Sequence, residues 1–194
     1  MSFSPPFSNE LTAEELDTRP DRLVEAAREL ANETGSAAFT VAQVTQRAEL
    51  SLKSFYACFR GKDELLLALL GADSGIGAGV LAGRIAPRTG AEGLEAYFVE
   101  LFDMLTLPGA LGYAGVLVRE YGRLVEHYDV ELRSALAPLV DLLASFLVSP
   151  DPRDAETMFA VLIGGIREVV VGRAANPAEL AGYLHRFCTE GVGH

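Results

Sequence analysis

The sequence predicts an all-α chain: an N-terminal three-helix unit of helix-turn-helix type, then a C-terminal helical bundle. Three observations carry this. Apolar residues recur at three and four along nearly the whole chain, and no stretch alternates as a strand would. The stretch Phe39–Leu65 reads as two short helices, a tight turn between them, and a sharp re-entry into a third. The length of 194 residues, 49% of them hydrophobic and 22% charged, allows one or two domains with a sizeable core. The expected organisation is an unstructured arm over 1–18, the helix-turn-helix unit over 19–66, and the C-terminal bundle over 67–194.

The arm mixes Pro, Ser and Asn with Glu10, Glu14, Glu15 and Asp17, too acidic for an extension into a minor groove. Pro20 suits a first helical turn, and Leu23, Ala26, Ala27 and Leu30 form one stripe over Asp21–Glu33. Thr40 is a good N-cap for the next helix, whose inner face is Val41, Val44 and Ala48. The turn is Ala48-Glu49-Leu50-Ser51, with Ser51 able to cap the helix that follows. That helix turns Phe55 and Phe59 inward and leaves Leu52, Lys53, Ser54 and Tyr56 outside or on its flanks. Gly61 ends it, and Asp63 and Glu64 open the next helix where the macrodipole favours acids.

From Lys62 the pattern begins as a clear helix and becomes glycine-rich at Gly71, Gly75, Gly77, Gly79 and Gly83. Each costs a helix roughly 1 kcal/mol relative to Ala, so fraying, a kink or a break is expected there. The Gly77–Gly83 run is no dinucleotide loop, since no strand precedes it. Further helices are expected over Glu92–Leu105, within Ala110–Tyr128, over Val130–Leu147 with Pro138 bending or dividing it, over Asp154–Arg173, and over Pro177–Thr189. Pro108-Gly109 and Ser149-Pro150-Asp151-Pro152 separate them.

The formal charge of −11 argues against a protein that coats nucleic acid nonspecifically. From Thr40 to Lys62, however, the net charge is +3, as expected where one small surface meets phosphates. In such a reading head Lys53 is the best base reader, because an ammonium can donate to guanine O6 and N7. Ser51, Ser54 and Tyr56 set register, and Leu52 lies beside them. Thr40 and Lys62 stand at helix N-termini that favour phosphate, and Gln43, Thr45, Gln46 and Arg47 offer further contacts from the preceding helix.

The run Gly35, Phe39-Thr40-Val41, Val44, Ala48, Leu50-Ser51, Phe55-Tyr56, Phe59, Gly61-Lys62-Asp63 and Leu65 resembles the N-terminal signature of the tetracycline-repressor (TetR) family. Arg22–Ala27 and Leu30 match that family's first helix, so the likeness spans about the first third of the chain. The resemblance implies a homodimer paired through the helices near 130–147 and 154–173, with Gly164-Gly165 permitting close approach. It also implies a soft connection between the DNA-binding and ligand-binding parts. Three positions depart from the pattern. Glu49 stands where the turn usually has Gly, and Ala57 and Cys58 replace side chains that are often basic or aromatic.

A ligand site is expected in the C-terminal bundle, with Tyr97, Phe98, Phe102, Met104, Tyr113, Tyr121 and Tyr128 as apolar lining. Arg119, Glu120 or His127 would place a polar group there, and the expected effector is greasy or aromatic. Nothing points to an enzyme, cofactor or metal: neither His127, His185 nor His194 follows a Glu by three, and Cys58 and Cys188 form no knuckle. No secretory signal is present, and the longest strongly apolar stretch, Met158–Ile166, is too short to span a bilayer, so a cytoplasmic location is expected. The function expected is a ligand-released repressor on a palindromic operator. The alternative is a helical ligand-binding or scaffold protein that has lost operator binding.

Overall fold

The computed structural model describes residues 19–106, 110–148 and 151–190, so the arm and the breakers Pro108, Gly109, Ser149 and Pro150 lie outside it. Among the described residues there are nine helices and no strand: α1 (Arg19–Thr34), α2 (Val41–Arg47), α3 (Leu52–Cys58), α4 (Lys62–Ile85), α5 (Gly90–Thr106), α6 (Leu111–Leu124), α7 (Asp129–Ala144), α8 (Pro152–Val170) and α9 (Pro177–Glu190).

Helices α1 to α3 form a small unit around Leu23, Ala27, Val44, Phe55 and Phe59, all buried. Gly35 ends α1 with φ +61°, a left-handed conformation that an L side chain would strain. Arg22 reaches from α1 to the carbonyl of Ala48 at 2.7 Å, satisfying an acceptor at the C-terminal end of α2 rather than facing a phosphate.

The expected break in the glycine-rich segment does not occur: α4 is one helix of 24 residues. Burying a leucine or isoleucine stabilises by about 1.5–3 kcal/mol, and α4 buries Leu65, Leu66, Leu69, Leu70, Leu81 and Ile85. Those terms exceed the helix penalty of its glycines, roughly 1 kcal/mol each. Gly71 also brings α4 close to α7, since a Cβ there would lie 3.6 Å from Ala135. By length and composition α4 could cross a membrane, with mean hydropathy 1.8, yet half of that window is buried by neighbouring helices. α7 lies along α4 and buries Leu132, Leu136 and Leu143 within the chain. Pro138 does not divide it; the carbonyl of Ser134, deprived of its helical partner, belongs to an exposed residue that water can reach.

α8 and α9 close the bundle against α5. Gly165 permits this, because a Cβ there would lie 2.3 Å from Leu184 Cδ1 and 2.9 Å from Phe102 Cζ. Gly164 beside it is exposed and meets nothing within 4 Å. Large exposed apolar side chains lie on α9 (Tyr183, Phe187) and just past α8 (Val171), whereas on α7 only Val130 in the first turn is of that kind.

Candidate nucleic-acid interface and ligand cavity

The reading head is built from two short helices with side-chain caps. Thr40 Oγ1 accepts from Gln43 N at 3.2 Å while Gln43 Oε1 accepts from Thr40 N at 2.8 Å, a reciprocal capping box. Ser51 Oγ accepts from Ser54 N at 3.0 Å and lies 2.9 Å from Ser54 Oγ. Glu49 sits in the turn with φ +53°, so the strain is tolerated and not relaxed; such a conformation costs about 1–2 kcal/mol. Behind α3, Phe55 packs on Phe59 and edge-on to Tyr56, fixing the helix's orientation. Its outer face then presents Ser51, Leu52, Lys53 and Tyr56, with Leu52 51% and Tyr56 61% exposed. Gln43 and Gln46 of α2 are also exposed.

Three of the expected DNA contacts are placed differently. Thr45 is buried and donates to the Ala42 carbonyl at 3.0 Å, which its position on the inner side of α2 dictates. Arg47 donates to both carboxylate oxygens of Glu33, at 2.8 and 2.9 Å, and to Glu29 at 2.9 Å. Those bonds raise the Arg47 pKa, those to Glu33 first, and hold Glu33 below the usual carboxylate range. Its charge is therefore matched within the unit. Lys62 turns its ammonium toward the Ala37 carbonyl and the Phe39 ring. Lys53 and Arg60 remain exposed cations of the head.

The C-terminal bundle encloses an apolar chamber of about 60 Å³ between α4, α5, α6, α7 and α8. Met104 and Tyr121 line it, as expected. The other ligand candidates do not. Tyr97, Phe98, Phe102 and Tyr113 are fully or almost fully buried in the core. Tyr97 donates to the Leu139 carbonyl at 2.9 Å, and burial raises its pKa far above the tyrosine range. His127 is exposed beyond the end of α6. Arg119 points away from the chamber and donates to the Gly35 carbonyl at 2.7 Å, in the turn after α1.

Leu70, Asp73, Ser74 and Gly77 of α4, spaced one helical face apart, supply one wall of the chamber. Asp73 is buried, with Arg28 of α1 donating from Nε to Oδ1 at 2.8 Å and the Tyr113 hydroxyl donating to Oδ2. Arg28 also pairs with Glu25. Burial pushes the Asp73 carboxyl up, only partly offset by Arg28 and Tyr113, while Tyr113 is raised by burial and by Asp73. Burial opposes the charge on Arg28, but Asp73 and Glu25 outweigh it and raise its pKa. Ser74 Oγ is buried and is without a hydrogen-bond partner among the described residues.

Sequence reasoning missed Arg28, Asp73 and Ser74. The signal was present as polar residues on otherwise apolar stripes: Arg28 between Val24 and Ala31, and Asp73 and Ser74 at three and four from Leu70. α6 adds two further links to the N-terminal unit, Arg119 to Gly35 and Arg123 to Asp63 at 2.6 Å, the latter holding the Asp63 carboxyl below its usual range.

Residues 23–69 match the sequence model described as bacterial regulatory proteins, tetR family. A comparison with curated proteins finds no match. Among solved structures, a TetR transcriptional regulator from Rhodococcus sp. RHA1 superposes with TM-score 0.70 at 17% identity, over 88% of this chain and 93% of that one. FadR of Thermus thermophilus, a TetR-family transcriptional repressor in complex with lauroyl-CoA, gives 0.68 at 20% identity, over 91% and 96%. FadR of Bacillus subtilis in complex with stearoyl-CoA gives 0.62 at 17% identity, over 89% and 98%. Residues 23–69 thus match the model of the tetR family of bacterial regulatory proteins, and the chain has the all-helical fold of these solved TetR-family regulators.

Proposed function

We propose that this chain is a ligand-responsive, DNA-binding transcriptional regulator, acting in the cytoplasm and not an enzyme. In this reading it represses as a homodimer on a palindromic operator and is released by a small, mostly apolar effector. The single observation that carries the reading is the outer face of α3. Ser51, Leu52, Lys53 and Tyr56 are displayed together on a helix that Phe55 and Phe59 anchor from behind. Lys53 is assigned to a base edge, and Ser51, Ser54 and Tyr56 to register, with Thr40, Gln43 and Gln46 flanking.

The division into a DNA-binding unit at 19–66 and an effector unit at 67–194 fits the position of the chamber. It also fits the three links Arg28–Asp73, Arg119–Gly35 and Arg123–Asp63. Dimerisation is assigned to the helices near 130–147 and 154–173, with exposed Ala160 and Gly164 on α8; the exposed Val171, Tyr183 and Phe187 favour α9 as a further part of that surface. An effector acts by preferring one arrangement of the two reading heads; equal affinity for both would shift nothing.

Selecting bound duplexes from a random pool tests the reading. The expected result is an inverted repeat whose half-sites lie about 34–36 Å apart, one turn of duplex. Failure to enrich any sequence would leave the scaffold alternative, which the pairing of Arg47 with Glu29 and Glu33 favours by removing one cation from the head.

A further inference from the structure

We propose that the chamber is specific for an uncharged, mainly apolar molecule with one hydrogen-bonding head group, such as an alcohol or primary amide, held by Ser74. Carboxylates and acyl-CoA thioesters are excluded. The inference rests on the regulator reading for its biological use, but not for its chemistry.

Ser74 is the polar anchor of the chamber. It is 3% exposed and lies in the chamber wall, and its hydroxyl is buried without a partner among the described residues. A buried unpaired hydroxyl forfeits its hydration, and a ligand atom that bonds it recovers that loss. The rest of the wall is Leu70, Leu101, Met104, Leu117, Leu136 and similar side chains, so a ligand gains there only by being apolar.

Charge narrows the ligand further. Among the described residues, the only ionisable group in the wall besides the Tyr121 phenol is Asp73, whose two oxygens are already bonded by Arg28 and Tyr113. Arg28 is shared between Asp73 and Glu25, leaving the cluster one negative charge in excess when all three are ionised. Tyr121, Leu136 and Phe159 line both the chamber and an outer cleft of about 460 Å³. The charged residues along that cleft are Asp129, Arg133, Asp141 and Glu156, and Arg133 is bonded to Asp129 at 3.0 Å and Glu156 at 2.6 Å. An anion entering by this route meets an acidic rim and then a wall with no cation to receive it.

Size narrows it again. A water needs about 10–15 Å³ of such space, so a chamber of about 60 Å³ takes a head group of a few atoms. The body of the molecule then lies past Tyr121, Leu136 and Phe159 in the cleft, whose volume falls within the range of small-molecule pockets, about 300–1,000 Å³. Because Ser74 adjoins Asp73, the head group settles beside the ion pair that joins α4 to α1.

The test is calorimetric titration of the full chain, without DNA, with 1-octanol, octanamide, octanoate and octanoyl-CoA. Octanol and octanamide should bind, with octanoate and octanoyl-CoA at least tenfold weaker. Ser74→Ala, which removes the unpaired hydroxyl and leaves the packing, should weaken octanol about three- to tenfold, the worth of one ordinary hydrogen bond. Unfolding midpoints of the two proteins verify that the variant is folded. Tighter binding of octanoate or octanoyl-CoA, no binding of any of the four, or an unchanged octanol affinity in Ser74→Ala would each overturn the proposal. A chain that binds octanol but selects no DNA sinks the regulator reading alone; one that selects DNA and prefers octanoyl-CoA sinks this proposal alone.

Discussion

The hydroxyls of Thr40 and Ser51 cap short helices at the surface, while Asp73 and Ser74 sit in the middle of a long helix behind leucines. The first pair is satisfied by nearby backbone amides and leaves the outer face of the head free for a partner. The second pair depends on distant residues, with Asp73 reaching 45 positions back to Arg28 and Ser74 finding none. The reading head is thus locally determined. The chamber wall is determined only by the packing of five helices.

Removing one side of the α1–α4 ion pair should expose this contrast most strongly. Arg28→Ala leaves Asp73 buried without its cation and is expected to cost about 3–5 kcal/mol in urea denaturation. Arg28→Met together with Asp73→Leu should recover most of it. If Arg28→Ala costs less than about 1 kcal/mol, within the range of surface pairs, the link between the two units is not a buried interaction.

Gly165→Ala follows in size. It drives a methyl into Leu184 and Phe102, and overpacking of this kind costs about 1–3 kcal/mol. The same change at Gly164, which meets nothing within 4 Å in the single chain, should instead raise the monomer's stability by up to about 1 kcal/mol, the helix preference of alanine over glycine. A loss of dimer on Gly164→Ala would place that residue in the interface between copies.

These two cases separate what the sequence discloses from what it hides. Phe55 and Phe59 four apart, Ser51 after the turn and Gly61 before the next helix specify the head through near neighbours, and the structure follows them closely. The five glycines of α4 gave the opposite signal to the outcome, because helix propensity is a local term and burial against α7 is not. The aromatics Tyr97, Phe98, Phe102 and Tyr113 were expected around a ligand for their size. Size equally suits a core, and only the three-dimensional packing distinguishes the two. Arg47 counts toward a basic patch when charge is summed over Thr40–Lys62 alone; Glu29 and Glu33 lie on α1, and their approach depends on how α1 packs on α2.

Smaller effects sharpen the picture at the head. Glu49→Gly should stabilise by up to about 1 kcal/mol in thermal unfolding, the relief of a left-handed conformation less the entropy of glycine. It should also tighten DNA binding by removing a negative charge near the phosphates. A destabilised variant would mean that Glu49 is not strained.

The smallest effect concerns pH. Asp63 has its pKa lowered by Arg123, so its pairing stabilises above the unfolded carboxylate value and is lost as pH falls through the folded one. Asp63→Asn should therefore be less stable than the parent at pH 6 and equal to it well below pH ~4. The difference stays under about 1 kcal/mol because the pair is partly solvated. A difference that grows on acidification would contradict the assignment.

The most direct test of the central claim is the affinity for the selected duplex against a scrambled duplex, measured across salt concentrations for the parent chain and Lys53→Ala. The account predicts a preference of at least about 10³ at physiological salt. It further predicts that Lys53→Ala loses about 1–3 kcal/mol on the selected duplex and tolerates change at one base pair. Equal affinity for both duplexes, or a Lys53→Ala chain indistinguishable from the parent, would contradict it.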